Sequence, residues 1–74
     1  MMEKDIRMKA GVIWRLLSDK GILSVRELAE LTNYTKVLLF LALGWLSRED
    51  KIRFQDRDGT LYIGLTSSTP EIFY

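Results

Sequence analysis

The sequence predicts one small α+β domain, three helices followed by a two- or three-stranded β unit. Three observations carry this expectation. Apolar residues recur at spacings of three and four over most of residues 4–49, and two short stretches within residues 51–65 alternate with period two. Between those stretches lies Arg57-Asp58-Gly59, and Asp-Gly is a strong short-range hairpin signal.

The first helix is expected from Lys4 to Ser18. Ile6, Ala10, Ile13, Trp14 and Leu17 form its core stripe, and Trp14 is read as a core aromatic. Asp19-Lys20-Gly21 closes it, because glycine readily takes the left-handed conformation after a helix end. Ile22-Leu23 follows as a short extended piece. Ser24 then opens a capping box with Glu27, in which each side chain satisfies an orphaned backbone amide of the other. The second helix runs from Val25 to about Thr32, with Val25, Leu28, Ala29 and Leu31 on its apolar side. Asn33-Tyr34 interrupts the pattern, Asn tolerating a left-handed turn. Thr35 caps a third helix from Lys36 to about Glu49, and Lys51–Gln55 and Leu61–Leu65 are the hairpin strands. Residues 1–66 are taken as the domain and residues 67–74 as a tail, polar at first and then ending in Ile72-Phe73-Tyr74.

This element order is what a winged helix-turn-helix requires. Leu28-Ala29-Glu30-Leu31-Thr32-Asn33 resembles the first helix and turn of that motif, with Ala29 small enough for two helices to cross closely. Leu39, Ala42, Leu43 and Leu46 fall where its second helix is buried. The stretch from Leu41 to Ile52, Leu-Ala-Leu-Gly-Trp-Leu-Ser-Arg-Glu-Asp-Lys-Ile, is similar to a family of small stand-alone prokaryotic winged-helix domains of uncharacterised function. The likeness covers roughly residues 5 to 65. It implies a DNA-binding, transcription-related module, with the third helix in the major groove of duplex DNA. Lys36 and Arg48 would then contact phosphates or bases, and Arg53 and Arg57 of the wing, with Lys51 nearby, the backbone.

Composition narrows the chemistry. The 74 residues are 47% hydrophobic and contain neither cysteine nor histidine. Disulfides, thiolate metal sites and the commonest general base are thereby excluded. No Gly-rich phosphate loop occurs, and Glu27 and Glu30 serve more simply as cap and dipole partners than as a catalytic pair. The expectation is a non-enzymatic chain with no cofactor, metal or small-molecule substrate. The longest apolar run, Val37 to Leu43, is far short of the roughly 20 residues a membrane span needs, so a cytoplasmic protein is expected. The formal charge is only +1; residues 36–57 hold five basic and three acidic side chains, a mild local excess.

A helical wheel at about 100° per residue complicates the DNA reading. With Leu39, Ala42, Leu43 and Leu46 inward, the outer direction of the third helix falls to Val37, Leu41, Gly44 and Arg48, flanked by Leu38, Trp45 and Phe40. A contiguous apolar patch on a small domain usually marks an interaction surface, here for a second copy or another protein. The alternatives are that Ile72-Phe73-Tyr74 folds over it, that Gly44 accommodates a core neighbour, or that the patch is tolerated surface. Met8, Val12 and Leu16 form a second, weaker stripe on the first helix. The wing's charges equally fit a solvated hairpin, and Tyr62 fits packing.

Overall fold

In a computed structural model the chain is described over residues 2–66. The elements follow in the order α1 (Met2–Lys20), β1 (Leu23–Ser24), α2 (Val25–Thr32), α3 (Lys36–Arg48), β2 (Ile52–Arg57) and β3 (Thr60–Leu65). This is the winged helix-turn-helix arrangement. Ile72-Phe73-Tyr74 and the tail they belong to lie outside the described residues.

Local signals set the boundaries. Gly21, at φ +85°, ends α1 with its amide on the Leu17 carbonyl at 2.9 Å. The Ser24–Glu27 capping box forms in both directions, with Ser24 N–H donating to Glu27 Oε1 at 2.8 Å and Glu27 N–H donating to Ser24 Oγ at 3.1 Å. Asn33 adopts φ 60° and closes α2 through its amide to the Ala29 carbonyl at 2.8 Å. At the hairpin, Asp58 and Gly59 both have positive φ, as a two-residue turn matched to strand twist demands.

The three strands form one antiparallel sheet in the order β1-β3-β2, with Leu23 opposite Ile63, and Phe54 also opposite Ile63 from the other side. The short extended piece thus supplies the third strand, one residue later than expected: Ile22 is exposed and the pairing residues are Leu23 and Ser24. The core is a single cluster of Ala10, Ile13 and Leu17 from α1, Leu28 from α2, Leu39, Ala42, Leu43 and Leu46 from α3, and Leu23, Ile52 and Ile63 from the sheet.

Several apolar side chains fall outside it. Trp14 is 43% exposed and is not a core aromatic. It sits at the edge of the Ala10-Ile13-Leu17 stripe, about 40° around the helix from Ala10 on the side away from Ile13, so its ring leans out of the core. Ile6 is only half-buried, and Leu31 is exposed because α2, eight residues long, presses just Leu28 fully into the interior. On β2 only Ile52 is buried; the alternation of the sequence continues through Phe54, but that ring remains exposed.

Candidate functional site

α3 is held rigidly at both ends. Thr35 caps its start by accepting the Leu38 amide at 3.2 Å. Its end carries two nested backbone bonds, Asp50 N–H to the Ser47 carbonyl at 2.9 Å and Lys51 N–H to the Leu46 carbonyl at 2.9 Å, with Asp50 in the left-handed conformation. That is a Schellman stop, built on aspartate where glycine is usual. Four buried side chains, Leu39, Ala42, Leu43 and Leu46, fix the rotation of the helix about its axis.

The opposite face is apolar and open. Val37 is 69%, Phe40 46% and Leu41 42% exposed, and with Lys36 they line one shallow hollow. Gly44 is exposed, and a Cβ added there would meet no heavy atom within 4 Å. Gly44 therefore accommodates no core neighbour. Leu38 and Trp45 on the flank are half-buried, Trp45 resting against the core. The second stripe on α1 is less coherent: Met8 and Val12 are exposed, while Leu16 packs against the core.

The basic side chains are dispersed. Lys36 and Arg48 are exposed at opposite ends of α3, the Arg48 guanidinium 5.9 Å from the Trp45 ring centroid. Arg53 borders a hollow with Leu17, Ile22 and Phe54, away from the α3 face. Lys51 borders a groove between α1 and α3. Arg57, near the hairpin turn, lies 5.3 Å from the half-buried Tyr62 ring and donates from Nη2 to Gln55 Oε1 at 3.0 Å. Among the described residues no group of three or more acidic, His or Cys side chains converges on a metal position, and no helix is long and apolar enough to cross a membrane.

Sequence reasoning missed the α1/α3 groove. Arg7, Gly11 and Trp14 form one wall, and Trp45, Glu49 and Lys51 the other. Placing Trp14 at the stripe's edge rather than in the stripe, one turn from Gly11, is the signal that would have revealed it.

Solved structures similar to the described one include the following two. One is the solution structure of protein BT2368 from Bacteroides thetaiotaomicron, 31% identical, with a TM-score of 0.78 over 89% of this chain and 80% of that one. The other is HlyU from Vibrio cholerae, 25% identical, with a TM-score of 0.73 over 90% of this chain and 78% of that one. No curated protein matches the sequence. The model of one family, described as a winged helix-turn-helix domain (DUF2582), matches residues 1–65. With that match spanning nearly the whole chain, and with the helices and sheet arranged as they are, the protein belongs to the DUF2582 winged helix-turn-helix family.

Proposed function

We propose that this winged-helix domain is a protein-interaction module that pairs with a second copy of itself through the outer face of α3. The observation that carries the reading is the exposure of Val37, Phe40 and Leu41 where a groove-reading helix carries hydrogen-bonding side chains. Between Lys36 and Ser47 the Trp45 indole N–H is the one polar side-chain group on α3, and Trp45 leans toward the core.

Self-pairing is supported by spacing and shape. Val37, Leu41, Gly44 and Arg48 follow one another at intervals of four, three and four, the rhythm of a helix–helix seam. In an antiparallel pair about a two-fold axis, Leu41 of each copy meets Gly44 of the other, a projection facing an open space, and both contacts form at once. Arg48 then lies against the partner's Val37, where its aliphatic stem covers the valine and its charge stays in water.

A second reading, duplex DNA binding, is favoured by the fold, which commonly binds DNA, and by the exposed Lys36, Arg48, Lys51, Arg53 and Arg57. Those cations suit phosphates rather than base edges, so the expected binding is weak and steeply salt-dependent. The two readings use different residues and are compatible.

Sedimentation velocity, with and without duplex DNA at low salt, tests both. Self-pairing predicts a concentration-dependent dimer that Leu41→Glu abolishes while helical circular dichroism is retained. A wild-type monomer at high concentration removes the first reading. No co-sedimentation with DNA at low salt removes the second.

A further inference from the structure

We propose that the groove between α1 and α3 is the docking site of this chain's own residues 67–74, with Phe73 seated on Gly11 between Trp14 and Trp45. The proposal does not rest on pairing through α3, which is centred on Val37, Leu41, Gly44 and Arg48, whereas the groove uses Trp45, Leu46 and Glu49 on the adjoining flank of that helix.

The exit point of the tail is the first support. Thr66 is fastened beside the end of α3, its amide donating to the Lys51 carbonyl at 3.1 Å and its Oγ1 to the Asp50 carbonyl at 2.9 Å. Lys51 and Glu49 are themselves groove residues, so the tail starts at the groove's mouth. Reach is ample. Eight residues span up to about 26–29 Å when extended, and Trp45 lies only about one helical turn, roughly 6 Å along the axis, from Glu49.

Chemistry is the second. The groove holds two tryptophans, one of them 43% exposed, and Gly11 leaves open space above its backbone, with no heavy atom within 4 Å of an added Cβ. Ile72-Phe73-Tyr74 is the apolar segment available to fill it. Charge agrees as well: Arg7 and Lys51 on the rim outnumber Glu49, and Glu71 is the one charged side chain in residues 67–74. A carboxylate entering beside Phe73 is drawn to that rim.

The test uses the full chain. With Phe73→Ser the acrylamide quenching constant of the tryptophans is expected to rise about twofold and their emission to shift red, as covered indole surface is opened, while far-ultraviolet circular dichroism stays unchanged. Equal quenching in the two proteins overturns the proposal. A second measurement exploits the absence of cysteine: Gly11→Cys combined with Tyr74→Cys is oxidised at micromolar concentration. A cross-link within one chain supports docking. No link, or a link formed only between chains, overturns it, the latter because the groove then receives the tail of a second copy.

Discussion

At Ser24 two side-chain hydrogen bonds settle where α2 begins, and both were legible because the S-x-x-E pattern has few other uses ahead of an apolar run. Ser24→Ala is expected to cost about 1 kcal/mol, lowering the melting temperature by about 4–8 °C in a domain this size; thermal unfolding followed by circular dichroism reads the change. Asn33 and Gly21 were legible for the same reason, being residues that take positive φ cheaply. Asp50 was not. Within Arg48-Glu49-Asp50-Lys51 it reads as one charge among four, although its φ of 59° makes it the pivot of the turn out of α3. Asp50→Gly is expected to stabilise the domain by roughly 0.5–1 kcal/mol through relief of that conformation, less what the freer unfolded chain takes back. An unchanged denaturant midpoint would count against the strain.

Among the elements, α3 was the most predictable in rotation and the least ordinary in what it exposes. Four inward residues at helical spacing define its buried side, and all four are 4% exposed or less. That same regularity made the outer face derivable from the sequence. For α1 the assignment was coarser, since an aromatic side chain at a stripe's edge reads like one in its middle until the neighbouring helix is in place. α3 closes a groove over Trp14 and does not bury it. For β2, alternation suggested a half-buried strand, yet at the sheet's edge only its first residue has a layer above it. One substitution separates the intrinsic stability of α3 from its pairing. Gly44→Ala adds a methyl group into open space, so the monomer is expected to gain about 1 kcal/mol from helix propensity. The same methyl narrows the space for the partner's Leu41, so dimerisation should weaken as the monomer stabilises. Denaturation at low concentration and sedimentation at high concentration measure the two effects apart.

For the whole molecule, the fold is written in local signals and the function is not, because a domain with a net charge of +1 does not announce its partner. The cations implied by the winged-helix likeness are spread over separate parts of the surface, an arrangement set by tertiary packing and invisible along the chain. If phosphates are their partners, replacing Arg53 and Arg57 together by alanine should lower the slope of log affinity against log salt by about 2, as two fewer counterions are released. A slope that does not move assigns those arginines to the hairpin alone.

The pairing of Leu23 with Ile63 joins positions forty residues apart, whereas β2 and β3 meet across a two-residue turn. Closing the longer loop costs more chain entropy, so the hairpin and helices are expected to assemble first and β1 to dock on the far side of the barrier. Leu23→Ala should then accelerate unfolding and leave the folding rate nearly unchanged, a division that stopped-flow kinetics across a denaturant series resolves directly. The strand with two residues becomes the latch of the sheet, and its release sets how long each molecule stays folded.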